Sequence, residues 1–109
     1  MESYRRTRER NLVELAQIVG VDDAIALQAI SRSLHTLDES ACNCGLTGRQ
    51  EKRSARLESK AKLIADGHGL LAYHQGDPRG WSLYIVNPER LGGYDIDAVY
   101  DRGMAVCPH

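Results

Sequence analysis

Three side chains that could perform acid–base or phosphoryl chemistry lie close together in the second half of the chain. His74, Asp77 and Arg79 fall within six residues and offer a general base, a carboxylate and a cationic anchor. The segment from Asp77 to Gly80 is also typical of a turn, in which Asp bonds the backbone, Pro presets φ and Gly accepts unusual dihedrals. Because turn formation accounts for these residues, we expect no enzymatic activity. A small hydrolase or a nucleotide-sensing activity at His74, Asp77 and Arg79 is the alternative.

The same segment has the composition of a binding surface. Arg79 precedes Trp81 by two residues, and Tyr73 and Tyr84 belong to the flanking strands predicted below. Aromatic and arginine side chains are enriched at protein interface hot spots, although a tryptophan can equally serve the core. The predicted binding residues of this segment are Tyr73, His74, Asp77, Arg79 and Trp81.

The three cysteines do not form a recognisable metal or disulfide framework. Cys42 and Cys44 are separated by one residue, and Cys107 stands alone. Structural zinc sites use wider spacing within each cysteine pair and a second matched pair of ligands. We therefore expect reduced thiols, no metal and no cofactor.

A second candidate binding surface is the predicted third helix, which is rich in basic residues. Lys52, Arg56 and Lys60 form a like-charge row at four-residue spacing, an arrangement that costs a little helix stability and suggests a use. Basic side chains on one helix face can contact phosphates. The predicted contact residues are Arg49, Lys52, Arg53, Arg56 and Lys60.

Helices are predicted for the first two thirds of the chain, and the third of them positions the basic residues. Apolar spacing predicts a helix within Ser3 to Val19 that Gly20 ends, followed by a second helix capped by Asp22. In the second helix apolar residues alternate at steps of three and four, which predicts packing along its length. Gly45 is a left-handed terminator, and Thr47 with Gln50 forms a capping box for the third helix. The apolar residues used here are Leu12, Leu15, Ala16, Val19, Leu27, Ile30, Leu34, Leu37, Ala41, Leu57, Ala61 and Ile64.

The periodicity changes after Gly67 and Gly69, which end the third helix. Alternation from Leu70 to Gln75 and from Trp81 to Val86 predicts an antiparallel hairpin with a loop of a few residues. Asn87-Pro88 closes the second strand, a short helix follows over 95–100, and 104–107 supplies a third strand. The fold class is therefore α+β, with N-terminal helices in a helical hairpin packed on a small C-terminal β-hairpin or three-stranded sheet. The helical part spans 3–66 and the β part 70–107 of a single domain, 1–109.

Length and charge limit the function classes. A chain of 109 residues holds one domain, and 14 Lys plus Arg against 15 Asp plus Glu give a net charge of −1, without the basic excess of a dedicated nucleic-acid binder. No apolar run reaches the roughly 20 residues of a membrane span. We expect a cytoplasmic protein that binds no membrane, and the long apolar face of the second helix leaves a homodimer open.

Two segments resemble a group of small bacteriophage and prophage proteins. They are GLTGRQEKR from Gly45 to Arg53 and YHQGDPRG from Tyr73 to Gly80, the latter followed by Leu83-Tyr84-Ile85. The resemblance implies a bacterial host cell during infection or lysogeny. Small accessory phage proteins often bind and block a host protein, including components of anti-phage defence such as CRISPR effectors, and by analogy we expect a host target here.

The leading hypothesis is a non-enzymatic phage accessory protein that binds a bacterial host macromolecule and inhibits host defence. A host protein is the expected partner, bound through the hairpin tip and an adjoining helical face. The alternative is a nucleic-acid-binding protein that uses the basic third helix.

Overall fold

Three long helices precede a small antiparallel sheet. The structure, a computed structural model, describes residues 4–41, 45–74, 82–91 and 104–106. Its elements are α1 (Tyr4–Val19), α2 (Val21–Ser40), α3 (Gly48–Asp66), β1 (Leu71–His74), β2 (Leu83–Val86), α4 (Pro88–Leu91) and β3 (Met104–Ala105). The predicted α+β class, with helices first and strands last, is confirmed.

A single glycine separates α1 from α2. Gly20 has φ of 90°, a conformation that glycine adopts readily and that lets the chain turn within one residue. The predicted cap at Asp22 is wrong, because α2 already begins at Val21 with Gly20 as its N-cap and no side-chain cap bond. Asp22 and Asp23 instead lie in the first turn, where negative charge favours the helix N-terminus.

The limits of α3 agree with the sequence prediction. The Thr47 hydroxyl accepts a hydrogen bond from the Gln50 amide at 3.2 Å, and the Gln50 side chain accepts one from the Thr47 amide at 3.0 Å. These two bonds form the predicted capping box. At the other end, the Leu70 amide donates to the Ala65 carbonyl at 2.9 Å after Gly69 has turned the chain.

The core lies between the helices and one face of the sheet. Along α2, Leu27, Ile30, Leu34 and Leu37 are all buried, as their spacing predicts. Where α3 packs against α2, its buried side chains include the small residues Ala61 and Ala65. Alanine allows two helix backbones to approach closely. The core cluster comprises Leu15, Val19, Ala24, Leu27, Ile30, Leu34, Ala61, Ala65, Ala72, Leu83, Ile85 and Val106.

The three strands are antiparallel in the order β1-β2-β3. Ala72 pairs with Ile85 and His74 with Leu83, and because side chains alternate along a strand these four residues share the face toward the helices. Tyr84 points to the other face and is also buried.

The third strand is tied to α2 as well as to β2. The Ser31 hydroxyl donates to the Val106 carbonyl at 2.6 Å inside the core, and the Val106 amide donates to the Leu83 carbonyl at 2.9 Å. The predicted third strand at 104–107 is therefore confirmed in position, although β3 itself is shorter.

Two predictions for the region around β2 need correction. The second strand begins at Leu83 instead of Trp81, and residues 75–81 lie outside the described residues. The sequence prediction also missed α4, which begins at Pro88 after Asn87 accepts a hydrogen bond from the Glu89 amide at 3.0 Å. Asn before a proline at the first helical position is a helix-start signal, so Asn87-Pro88 both closes the strand and begins a helix. The predicted helix over 95–100 lies outside the described residues.

Candidate functional site

His74 is held between two carboxylates from two different helices. The residue ends β1 and faces the helices because it alternates with Tyr73 along the strand. Its Nδ1 lies 2.5 Å from Glu58 Oε1 on α3, and its Nε2 lies 2.9 Å from Asp38 Oδ2 and 3.1 Å from Asp38 Oδ1 on α2. We call Asp38, Glu58 and His74 the His74 cluster.

The two contacts determine the protonation of the ring. Ionised carboxylates only accept hydrogen bonds, and a neutral imidazole carries a single N–H. When Asp38 and Glu58 are both ionised, both ring nitrogens of His74 carry hydrogen, and the ring is an imidazolium that donates once to Glu58 and once to Asp38. The cluster then contains one positive and two negative charges.

The surroundings shift the pKa of both Asp38 and His74 toward their charged forms. The hydrogen bond to Asp38 raises the pKa of His74 above 6.5, against the opposing effect of burial and with the support of Glu58. Burial raises the pKa of Asp38, but hydrogen bonds from His74 and Ser82 and the nearby charges of His74 and His35 outweigh it, so that the pKa of Asp38 falls below 3.8.

This arrangement uses the histidine to join elements of the fold. A general base needs a free lone pair, and neither nitrogen of His74 has one while both donate to carboxylates. The ring is only 14% exposed, whereas Asp38 and Glu58 are 31% and 35% exposed. His74 thus links β1 to both α2 and α3 at the border of the core.

The second candidate surface is the solvent side of α3. At 3.6 residues per turn, five basic side chains project within an arc of about 100°. All five are exposed, and none forms a salt bridge with a residue that the structure describes. We call this set the outer face of α3; it consists of Arg49, Lys52, Arg53, Arg56 and Lys60.

An apolar side chain continues the outer face. Leu63 falls within the same arc, three residues after Lys60, and is 71% exposed. Glu58 projects from the opposite side of the helix, toward His74. The outer face therefore carries cationic and apolar groups without a carboxylate among them.

The predicted site residues separate into three groups. Arg49, Lys52, Arg53 and Arg56 share the outer face of α3, as their spacing predicts. His74 lies in the His74 cluster, and Tyr73 lies on the sheet face turned away from the helices. Asp77, Arg79 and Trp81 lie outside the described residues.

Sequence reasoning missed the partners of His74 and the exposed leucine. Asp38 lies 36 residues and Glu58 16 residues from His74, so no local spacing connects them. Only one weak signal in the sequence pointed to Glu58 as a partner: it follows Leu57, which faces the core. A carboxylate on the core side of a helix requires a partner.

The described part of the chain contains neither a metal-binding cluster nor a membrane-spanning helix. No described group of three or more His, Cys, Asp or Glu side chains is arranged to hold a metal ion. Among the described helices, none combines the length and the apolar character needed to cross a bilayer. Cys42, Cys44 and Cys107 are outside the described residues.

Comparison with known proteins adds no relative to this picture. No protein-family model, curated protein sequence or solved structure matches the chain. The functional argument therefore rests on the His74 cluster and the outer face of α3.

Proposed function

We propose that this protein is a non-enzymatic phage accessory protein that binds a bacterial host protein and thereby inhibits host anti-phage defence. The observation that carries the proposal is the outer face of α3, where five exposed cations and the exposed Leu63 lie side by side. The resemblance of two sequence segments to phage proteins supplies the biological setting.

The charges of this surface suit association with an acidic partner. Arg49, Lys52, Arg53, Arg56 and Lys60 have no carboxylate of a described residue to neutralise them. Complementary charge steers a partner toward such a surface and raises the association rate, with a strong dependence on salt. Arginine is also enriched among hot-spot residues.

Leu63 favours a protein partner over a nucleic acid. An exposed leucine that becomes buried at an interface contributes about 1.5–3 kcal/mol, whereas a phosphate backbone offers it no apolar surface. Cationic and apolar groups together are typical of a protein interface, whose rim is polar and whose centre excludes water.

Nucleic acid is the second candidate, and the row of Lys52, Arg56 and Lys60 favours it. From Arg49 to Lys60 the outer face extends about 16 Å along the helix axis, enough to contact several phosphates. The two candidates differ in their dependence on Leu63 and on salt.

The hairpin-tip residues remain a second predicted contact of the same partner. Arg79, Trp81 and Asp77 follow β1, which packs on α3. If the tip contributes to binding, Arg79→Ala weakens partner capture while leaving the fold intact. Unchanged capture would remove the tip from the proposal.

The proposal is tested by affinity capture from a bacterial host lysate, with and without nuclease, followed by mass spectrometry. The chain serves as bait in its native form and as the double variant Arg53→Glu with Arg56→Glu. The matched control is Lys62→Glu, which changes an exposed basic residue of α3 outside the outer face. We expect a nuclease-resistant host protein that the double variant loses at least tenfold and that the control retains.

Three results decide between the candidates. Capture that disappears with nuclease supports the nucleic-acid candidate, and equal capture by all three baits excludes the outer face. Leu63→Ser separates the candidates directly, because it should weaken binding of a protein about tenfold and leave binding of DNA or RNA unchanged. In a salt titration, the logarithm of the affinity for a nucleic acid should fall linearly with the logarithm of the salt concentration by about 0.9 per phosphate contacted, a steeper slope than for the protein partner.

A further inference from the structure

Besides the apolar packing of its inner face, the β1–β2 hairpin has a polar link to both long helices through one aromatic ring. His74 bonds α2 through Asp38 and α3 through Glu58, while its backbone belongs to β1 and pairs with Leu83 of β2. Two further polar contacts join the same layers, from Ser31 to Val106 and from Ser82 to Asp38. The state of this ring therefore affects three elements at once.

With both carboxylates ionised, the two bonds exist together only in the imidazolium form. A neutral ring has one N–H, so after deprotonation one of the two carboxylates faces a nitrogen lone pair instead of a donor. That contact is repulsive, and the two negative charges also lose the positive charge between them. A single proton therefore supports the attachment of the hairpin to both helices.

We propose that the second ring proton of His74 is a latch, the polar link from the β1–β2 hairpin to both α2 and α3, and that its loss as the pH rises breaks the bond to Glu58 and loosens β1 on α3. Release at α3 follows from the unequal surroundings of the two carboxylates. Asp38 retains a hydrogen bond from Ser82, whereas Glu58 has no second partner among the described residues.

The groups around the ring set the pH range of the latch. Asp38 and behind it His35 face the ring from α2, Glu58 faces it from α3, and Ser82 approaches Asp38 from the start of β2. His35 is itself paired with Glu39 at 2.9 Å. Because the pKa of His74 is raised above 6.5, the latch is closed below that pH and opens as the pH rises through the raised pKa.

The sign of the effect on stability follows from this shift. A histidine whose pKa is higher in the folded state stabilises the fold fully below its unfolded pKa of about 6.5, and the contribution disappears as the pH rises through the folded pKa. The latch inference concerns the fold and does not depend on the identity of the binding partner.

The experiment is an NMR titration of the histidine rings in the intact chain, combined with melting curves from pH 6 to pH 9. His68 is the matched control, because it pairs with the single carboxylate of Asp23 at 2.7 Å and is more exposed than His74. We expect His74 to titrate above pH 6.5 and Glu58→Gln and Asp38→Asn each to lower that midpoint, Asp38→Asn the more strongly.

Melting curves provide the second readout. At pH 6, His74→Gln should lower the melting temperature by roughly 8 °C or more, as expected for the loss of one or two charged hydrogen bonds. The difference from the unmodified chain should shrink by at least half at pH 9, whereas His68→Gln should show a small difference at both values. If His74→Gln does not fold, the titration of the unmodified chain decides.

Two results would overturn the latch. One is a His74 ring that titrates at or below its ordinary value. The other is a stability difference between the unmodified chain and His74→Gln that is the same at pH 6 and pH 9. Local release is checked by hydrogen-exchange protection of residues 71–74 and 83–86, which should fall at pH 9 more than that of α2.

Discussion

On the side of α3 that faces the sheet, the carboxylate of Glu58 is matched by the imidazolium of His74. On the solvent side of the same helix, five cations stand together and no described carboxylate matches them. The charge at the core border is used to connect elements of the fold. The charges outside contribute nothing comparable to the fold, so they are available to a partner.

The difference shows that the two sides of α3 have separate roles, one in the stability of a thin core and the other at the solvent surface. A chain of this size buries only about 60–70% of its unfolded surface, so polar side chains at the core border carry part of the connection between layers. Stability and binding should therefore respond to substitutions on opposite sides of α3. The following predictions test that separation, beginning with the largest expected effect.

A charge on the inner side of α3 should unfold the chain. Ala61 is fully buried, and Ala61→Asp places an unpaired carboxylate in the core, where it costs a large part of the roughly 5–15 kcal/mol that stabilises a small domain. The matched control is Ala55→Asp at an exposed position of the same helix, which should cost less than about 1 kcal/mol. Urea denaturation measures both, and similar midpoints would contradict the assignment of the inner side.

Removal of the carboxylate that meets His74 should have the next largest effect. Glu58→Gln should lower the free energy of unfolding by about 1–2 kcal/mol at pH 6, because the charged hydrogen bond is replaced by a weaker one at a partly exposed site. Glu51→Gln removes the same charge from the exposed first turn and should cost about 0.5 kcal/mol. In 1 M salt only the Glu51 effect should vanish, since screening acts mainly on exposed charges.

The acid side of the pH profile should depend on Asp38. Its pKa is lowered in the folded state, so its contribution is present above about pH 3.8 and disappears as the pH falls through the folded pKa. The contribution of His74 disappears on the alkaline side, which places maximal stability from this cluster between about pH 4 and 6.5. The free energy of unfolding should fall between pH 5 and pH 2, and Asp38→Asn should make that fall smaller by about 1 kcal/mol. Urea denaturation from pH 2 to 5 measures it. An unchanged slope would mean that Asp38 does not interact with His74 in solution.

The smallest effect should have the opposite sign. Arg56→Glu introduces opposite-charge pairs with Lys52 and Lys60 at four-residue spacing and should raise stability by about 0.5 kcal/mol. The same substitution should weaken partner binding, because it interrupts the outer face. Thermal unfolding and capture measured on one preparation check both statements. A loss of stability would indicate that Arg56 supports the fold.

Local sequence signals predicted most of the fold. The spacing of Leu27, Ile30, Leu34 and Leu37 predicted the buried side of α2, and the capping box fixed the start of α3, because both depend on residues a few positions apart. The start of α2 was missed because the positive φ of Gly20 allowed an immediate restart of the helix. The alternation of apolar and polar residues predicted a start of β2 at Trp81, two residues before the observed start at Leu83.

The two candidate surfaces were predictable to different degrees. The outer face of α3 follows from one helix and its periodicity, so the sequence was sufficient for its basic residues. The His74 cluster requires three elements to meet, and the spacings of 16 and 36 residues between its members carry no periodic signal. Its function in the fold therefore became visible only in three dimensions.

The bond between Ser31 and Val106 has a consequence for the order in which the chain folds. It joins two residues 75 positions apart, and β3 contacts α1 as well. The helices can form from local contacts as they are made, but this closure is long-range and slow because a large loop must be ordered first. During synthesis, the edge of β2 that pairs with β3 stays unpaired from the emergence of residue 86 until residue 106 has left the ribosome. The nascent chain thus exposes an unpaired strand edge over the last part of its synthesis, and that edge is a site for chaperone binding or misassembly.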